Sequence, residues 1–434
     1  MRRHTYACSA ILMFVLAATA QTPPEKPAQT APATSAQKPD ATPAQTPAAP
    51  PAQKPDATPA QTTGATPAQT PAATPAQTPA TAPPPSPPPA GPTAILVPEP
   101  GFGRLSLSGL LDGYFSLGFN HPASGVNQLR NFDTRANQFA VNMGKLIVEY
   151  GNGPFGLRFD FGGGHAFDMI NGADGAPRVM QNVEQAFATF KPAHARGLQL
   201  DFGKFVTSAG AEVIETNMNW NYSRSLLFSW AVPYYHFGLR SSMPFGKYFT
   251  GGLQVINGWN NVSDNNGGKT FGLTGAFAIG RFTVNHNYYF GPEKSNTNQG
   301  YRHLWDTTVL IAANRITSVY VNFDYGMDRR LQGGSDHWTG IAGAARFALT
   351  PKIAIAPRLE WFNDASGFAT GTAQTLKEGT ITGEYLIMPG VVGRLEYRRD
   401  WSNVPFFDRG PIAAMAKAQT TMLAGVTLFF APKR

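Results

Sequence analysis

Sixteen segments of this chain alternate apolar and polar residues one by one, and this alternation limits the fold more than any other feature. Successive side chains of a β-strand point to opposite faces, so each segment predicts a strand with one apolar and one polar face. In VVGRLEYRRD (391–400), Arg394, Glu396 and Arg398 share one face, and Leu395 and Tyr397 share the other. The predicted strands are residues 104–120, 137–151, 155–167, 183–192, 198–209, 234–245, 248–260, 270–280, 281–293, 303–314, 316–328, 337–350, 352–365, 373–388, 391–403 and 419–430.

The links between these segments are alternately short and long. Short links such as Gly246-Lys247, Gly280-Arg281 and Thr350-Pro351 follow even-numbered strands, and long polar links follow odd-numbered ones. Bacterial outer-membrane barrels have this arrangement, with short turns on the periplasmic side and long loops outside. The links therefore predict an antiparallel up-and-down β-barrel of about 16 strands, with both of its ends on the periplasmic side.

The apolar faces of the strands must be covered either by a protein core or by lipid. In a soluble β-sandwich they would pack against each other, whereas in a transmembrane barrel they would face lipid and the polar faces would enclose water. The last segment, QTTMLAGVTLFF (419–430), places Met422, Val426 and Phe430 on one face. As an exposed edge strand in water, such a segment would aggregate. We therefore predict an all-β, transmembrane antiparallel β-barrel in the outer membrane.

The first hundred residues have a different composition. Residues 1–20 combine Arg2 and Arg3 with an apolar stretch and an Ala-Thr-Ala cleavage site, so they predict a signal peptide and export. Residues 21–98 are rich in Ala, Pro, Thr and Gln, which predicts a disordered periplasmic linker; a spacer that touches the cell wall is the alternative. The only cysteine, Cys8, lies in the signal, so the barrel domain (101–434) has no disulfide and no thiolate metal site.

Three long stretches resemble a known family. They are GYFSLGFNHPASGVNQLRNFDTRANQF, LRFDFGGG and GKFVTSAGAEVIETNMNWNYSRSLLFSWAVPYYHFGLR, and the likeness extends over residues 101–430. These stretches are similar to the β-barrel porin-2 (OmpL-like) family. The resemblance implies an outer-membrane porin fold, and it implies neither a defined solute nor a set of catalytic residues.

Charged residues at inward strand positions are candidates for lining a pore. A barrel of 16 strands is wide enough to hold water, so charges of both signs on its inner wall would set its ion preference. RLEW (358–361) and RLEY (394–397) each place Arg and Glu two residues apart on one face. Each motif is explained equally well by an ion pair between its own Arg and Glu that only balances the charges on the barrel wall. The predicted lining residues are Arg158, Asp160, Arg240, Arg346, Arg358, Glu360, Arg394, Glu396 and Arg398.

The longest link, residues 209–233, is the third outer loop. In general diffusion porins the third loop folds inward and narrows the channel, and this loop is similar in its length. Its charged residues Glu212, Glu215 and Arg224 lie among aromatic residues, a composition that favours packing over exposure to solvent. We predict a constriction loop that contains these three residues. A loop that covers the outer surface and a subunit contact are the alternatives.

The sequence predicts passive transport and no enzyme activity. It has no HExxH, GxSxG, P-loop or dinucleotide-binding glycine motif, and its mild basic excess is scattered, unlike a nucleic-acid-binding patch. The predicted function is a water-filled channel for passive diffusion of small hydrophilic solutes and ions, with a slight anion preference and without a cofactor or metal. Its partners would be outer-membrane lipid and these solutes, and a homotrimer is the assembly that porins often form. A structural or adhesive barrel with an obstructed lumen and partner-binding loops is the alternative.

Overall fold

A computed structural model describes residues 104–172, 174 and 176–431. The predicted signal peptide (1–20) and linker (21–98) lie outside the described residues. Among the residues described, no helix is both long enough and apolar enough to cross a membrane.

Sixteen strands of the described chain close into one antiparallel barrel. Strands adjacent in the chain pair with each other, and the last strand pairs with β1 and closes the ring. The barrel strands are β1 (Arg104–Gly118), β2 (Gln138–Asn152), β3 (Phe155–Gly163), β4 (Val183–Phe190), β5 (Gln199–Val206), β6 (Tyr235–Phe245), β7 (Phe249–Ile256), β8 (Thr270–Ile279), β9 (Phe282–Pro292), β10 (Tyr301–Ile311), β11 (Thr317–Arg329), β12 (Ser335–Ala348), β13 (Ile353–Asp364), β14 (Gln374–Met388), β15 (Val391–Ser402) and β18 (Ala418–Phe430). The predicted barrel and its strand number are confirmed.

The outward face of the barrel is apolar, and the inward face is polar. Leu105 and Leu359 lie on the outward face and are 72% and 71% exposed. Asp112 and Asp400 lie on the inward face and are fully buried. A mainly apolar outer surface of this kind suits contact with lipid hydrocarbon, as in other transmembrane barrels.

Strand β2 contains a bulge that lets two polar residues of opposite parity face inward. The register with β1 shifts between Asp112 and Gly113: Met143 pairs with Asp112, Val141 pairs with Gly113, and Asn142 is left over. The Asn142 amide donates to a carboxylate oxygen of Asp112 at 2.7 Å. Because a bulge adds one residue, Lys145 also points into the barrel.

The long loops contain the remaining regular structure. Helix α1 (His165–Asn171) follows β3, so β3 ends at Gly163 and the prediction that this strand reaches residue 167 is wrong. Helix α2 (Leu226–Trp230) begins after Ser225, whose hydroxyl accepts a hydrogen bond from the Phe228 amide at 2.9 Å. Single 3₁₀ turns lie at Arg178–Asn182 and Thr216–Met218, and the last long loop forms a hairpin of β16 (Phe407–Arg409) and β17 (Ile412–Ala416).

Candidate functional site

The loop between β5 and β6, residues 207–234 and hereafter L3, lies inside the barrel. Tyr222, Leu226 and Leu227 of L3 are fully buried. The Asn221 amide donates to the carbonyl oxygen of Ala356 at 2.9 Å and to the Thr382 hydroxyl at 2.8 Å, and both partners lie on the barrel wall. L3 therefore packs on the inner wall of the barrel and does not extend outward from its rim.

Three arginines of the wall bind the backbone of L3. Arg358 donates to the carbonyl oxygen of Ser223 at 2.8 Å, and Arg398 donates to that of Arg224 at 2.6 Å. The two terminal nitrogens of Arg394 donate to the carbonyl oxygens of Thr216 at 2.6 Å and Asn219 at 2.7 Å. Arg394 and Arg398 share a face because the strand period is two residues, so the wall presents donors at regular intervals to the loop lying across it.

Two glutamates of the same wall accept hydrogen bonds from L3 amides. Glu396 accepts from the amides of Tyr222 at 2.7 Å and Ser223 at 3.1 Å. Glu360 accepts from the Leu226 amide at 3.1 Å, at the first turn of α2, where backbone amides have no partner within the helix. Hydrogen bonds from the ionised guanidinium groups of the three arginines are stronger than neutral ones. We call these five residues, Arg358, Glu360, Arg394, Glu396 and Arg398, the docking wall.

The three charged residues predicted in the loop also bind protein groups. Glu212 accepts a hydrogen bond from Arg358 at 2.7 Å. Arg224 donates to the carbonyl oxygens of Val213 and Tyr222 within L3, and its guanidinium lies 4.5 Å from the ring centroid of Phe132. Burial lowers the pKa of Arg224, although nearby carboxylates partly offset this.

Glu215 contacts a buried lysine together with two wall carboxylates. Lys145 Nζ lies 2.7 Å from Glu215, 2.9 Å from Glu184 and 3.2 Å from Asp160. Burial alone would raise the pKa of Glu215, but the Lys145 ammonium and the Arg158 guanidinium, together with hydrogen bonds, outweigh burial and lower that pKa to about 2. The three carboxylates are close enough together to hold a metal ion, but the ammonium already lies among them and balances part of their charge.

The structure places the predicted lining residues in two groups. Six of its nine members are covered by protein and at most 5% exposed: Asp160, Arg358, Glu360, Arg394, Glu396 and Arg398. Five of them form the docking wall and are covered by L3, and Asp160 is covered by Lys145 and Gln185. Arg158, Arg240 and Arg346 remain partly exposed, and each is paired with a carboxylate of Glu149, Asp201 or Glu384, respectively.

A polar cavity of about 120 Å³ lies across from the docking wall, on the inner side of β5–β9. Most of its lining side chains are neutral hydroxyls and amides, and its two charged residues, Asp201 and Arg240, form an ion pair at 2.8 Å. Sequence analysis identified Arg240 and missed the neutral residues, because an inward Ser, Thr or Asn gives no charge signal in a strand. The lining residues include Gln199, Asp201, Ser208, Arg240, Ser241, Gln254, Thr274, Asn285 and Asn287.

At the long-loop end, the loops pack against each other inside the barrel. Phe132, in the loop after β1, lies 5.9 Å from the rings of both Phe228 and Tyr234 of L3. The Asn131 amide donates to the Tyr234 hydroxyl at 2.6 Å. These contacts belong to a buried apolar cluster that also includes Trp338 and Phe362 of the wall. Side chains of these loops therefore occupy part of the lumen at this end.

Comparison with known proteins decides the family. The model of the family described as "Putative beta-barrel porin-2, OmpL-like" matches residues 104–430. The chain belongs to this porin family. It is thus a bacterial outer-membrane porin, a channel protein for passive diffusion of small hydrophilic solutes and ions. No curated protein sequence matches it significantly.

Solved structures agree on the fold of this porin. The anion-selective porin from Comamonas acidovorans has a TM-score of 0.51 at 10% identity, covering 76% of this chain and 100% of that one. OmpT of Vibrio cholerae in its trimer form has a TM-score of 0.52 at 10% identity, covering 76% and 99%. The outer-membrane channel DcaP of Acinetobacter baumannii has a TM-score of 0.51 at 10% identity, covering 77% and 99%. At this identity the likeness concerns the barrel architecture alone.

Proposed function

We propose that L3 is the constriction loop of this porin and that solutes pass between L3 and the inner wall of β5–β9. The observation that carries the proposal is the docking wall, which binds the L3 backbone through charge-assisted hydrogen bonds. Arg394 alone spans two carbonyl oxygens of L3, those of Thr216 and Asn219. A loop bound in this way holds a fixed position, so it narrows the lumen by a constant amount.

The chemistry of this pathway favours small polar solutes. Hydroxyl and amide groups of Gln254, Thr274 and Asn285 can replace the hydrogen bonds of water to a passing solute. Diffusion down a gradient needs no covalent step, and we propose neither an enzymatic activity nor a cofactor. The partly exposed Arg158, Arg240 and Arg346 support a slight anion preference, which their carboxylate partners keep small.

The proposal includes export and assembly. Residues 1–20 would be the signal peptide that directs the chain to the outer membrane, and residues 21–98 would be a linker in the periplasm, the side on which β1 begins. One of the similar structures is described as a trimer form, which supports a homotrimer for this porin as well.

A second function is favoured by the apolar cluster of the outer loops. Phe132, Phe228 and Tyr234 are nearly or fully buried within the barrel, as in the core of a soluble protein. A barrel closed at this level would be a structural or adhesive outer-membrane protein whose loops bind a partner.

Planar-bilayer conductance separates these two functions. The purified porin is compared with a variant that lacks residues 217–221, which include most of the 3₁₀ turn and the residues from there to Tyr222. A constriction predicts discrete channels in the native porin and a larger conductance in the variant. An obstructed barrel predicts no channels in the native porin, and an unchanged conductance in the variant would exclude L3 as the constriction.

A further inference from the structure

Two cations lie on the outward, lipid-facing surface of the barrel. Lys377 of β14 is exposed and lies between Trp361 of β13 and Trp401 of β15 in the strand register. Arg399 of β15 is opposite Gly379, which makes Lys377 and Arg399 diagonal neighbours on the same face. Diagonal neighbours of this kind are about 7–8 Å apart. Every other Asp, Glu, Lys or Arg of the described strands points inward, lies near a strand end or, like Lys204 of β5, is fully buried.

Among the residues that the structure describes, neither cation is paired with a carboxylate. Within the described residues, Lys377 forms no ion pair, and Arg399 donates to the Thr420 hydroxyl at 3.2 Å and lies 5.3 Å from the ring centroid of Trp401. The acidic residues beside them in the chain, Glu378 and Asp400, are buried on the opposite face. Two adjacent like charges repel each other on an apolar surface, so an anion from outside the chain would stabilise this site.

The position of the pair indicates which anion is available. Lys377 is the fourth residue of β14, which starts at the long-loop end of the barrel. Three residues of a strand tilted in the membrane bring it roughly 8 Å below the end of the strand, within reach of the headgroup layer for a long side chain. Trp361 and Trp401 on either side are residues typical of the membrane interface.

We propose that Lys377 and Arg399 bind the phosphate of a phosphorylated lipid in the outer leaflet of the membrane. The planar guanidinium of Arg399 can donate two hydrogen bonds to phosphate oxygens, and the Lys377 ammonium contributes a second positive charge. Gly379 provides space between them, because a Cβ at that position would meet only Leu359 and Trp401 at 3.5 Å or more. The acyl chains of the lipid would lie along the apolar strands below.

The test measures lipid binding to the purified porin in detergent micelles. The probe is diphosphorylated lipid A, with dephosphorylated lipid A and inorganic phosphate as comparisons, and bound lipid is counted by native mass spectrometry. The variant is Lys377→Gln/Arg399→Gln. The matched control is Arg315→Gln/Lys352→Gln, which removes one Arg and one Lys exposed at the short-turn end of the barrel.

We expect phosphorylated lipid A to bind the native porin and the control variant equally, and to bind the double variant about tenfold more weakly for each cation removed. Lys377→Arg/Arg399→Lys should keep the binding, which separates a charge effect from a folding effect. Equal binding of dephosphorylated lipid A, displacement of the lipid by millimolar inorganic phosphate, or equal affinity of the double variant would each overturn the proposal. Channel conductance should be the same in all variants, since the site is outside the lumen.

Discussion

The Nη1 of Arg398 donates to the carbonyl oxygen of Arg224 at 2.6 Å, while the Nε of the same guanidinium donates to Asp400 at 2.9 Å. One side chain thus joins the loop to the wall and to a buried carboxylate. The acceptor in L3 is a backbone carbonyl group. The wall therefore determines the path of the loop at this point, whatever side chain the loop residue carries.

Replacing Arg398 should destabilise the barrel. Arg398→Met leaves the buried carboxylates of Glu378 and Asp400 without one of their cations, and breaking a buried ion pair costs about 3–5 kcal/mol. The measurement is guanidinium-induced unfolding in micelles, followed by tryptophan fluorescence. The control is Arg346→Met, where the arginine side chain is 29% exposed, and it should cost no more than about 1 kcal/mol. Equal losses of unfolding free energy in Arg398→Met and Arg346→Met would contradict the role of Arg398 in a buried ion pair.

Removing Arg394 should loosen the constriction. Arg394→Ala deletes the two hydrogen bonds to Thr216 and Asn219, so L3 gains freedom to move in the lumen. We expect noisier single-channel currents and a larger mean conductance in planar bilayers. Arg281→Ala, in a short turn at the barrel end, is the control and should leave the currents unchanged. A quiet, native-like current in Arg394→Ala would show that the loop does not depend on this anchor.

The ion pair of Asp201 and Arg240 should set the selectivity of the cavity beside β5–β9. Asp201→Asn leaves the cation of Arg240 unbalanced and should shift the reversal potential in a salt gradient toward anion preference. Arg240→Gln should shift it in the opposite direction, and the double variant should return close to the native value. Shifts of the same sign in both single variants would place the pathway elsewhere.

Acid should weaken the contact between Glu215 and Lys145. The pKa of Glu215 is lowered to about 2 in the folded porin from its ordinary 4.5, so ionised Glu215 stabilises the fold above pH 4.5. This contribution is lost as the pH falls from 4.5 toward 2. Thermal stability measured over this range should fall more steeply in the native porin than in Glu215→Gln, which has no carboxylate to titrate. Parallel curves of thermal stability against pH for the native porin and Glu215→Gln would argue against this contact.

A side chain at position 425 should displace L3. A Cβ on Gly425 would clash with the Tyr222 ring, so Gly425→Ala forces the ring away from the wall. We expect a loss of about 1–3 kcal/mol of stability and an altered conductance. Gly343→Ala is the control, because a Cβ there would meet its nearest atom at 3.9 Å. A conductance of native size in Gly425→Ala would show that Tyr222 can shift without moving the loop.

The barrel could be predicted from the sequence because the alternation of apolar and polar residues and the lengths of the links both follow from strand geometry. Every strand has lipid on one side and protein or water on the other, so the alternation is present in all of the barrel strands. The roles of the inward charges were not predictable in the same way. Arg346 and Arg358 both lie at inward-facing strand positions, yet Arg346 is partly exposed and Arg358 is buried beneath L3. Strand parity gives the direction of a side chain, and only the loop position decides what covers it.

Other differences have local causes. The bulge at Asn142 changes which residues of β2 face inward. The opposite parity of Asn142 and Lys145 in the sequence indicates a break in the alternation, but it does not identify the extra residue. The hairpin of β16 and β17 was missed because its strands are only 3 and 5 residues long, too short for alternation to be recognised.

The docking wall also limits the order in which the porin folds. Thr216 and Arg394 are 178 residues apart in the chain, so L3 is synthesised well before the strand that anchors it. Contacts between such distant residues form slowly, since the intervening chain must first be ordered. The anchored form of L3 is consequently a late product of assembly, and any intermediate without its last strands holds an unanchored L3.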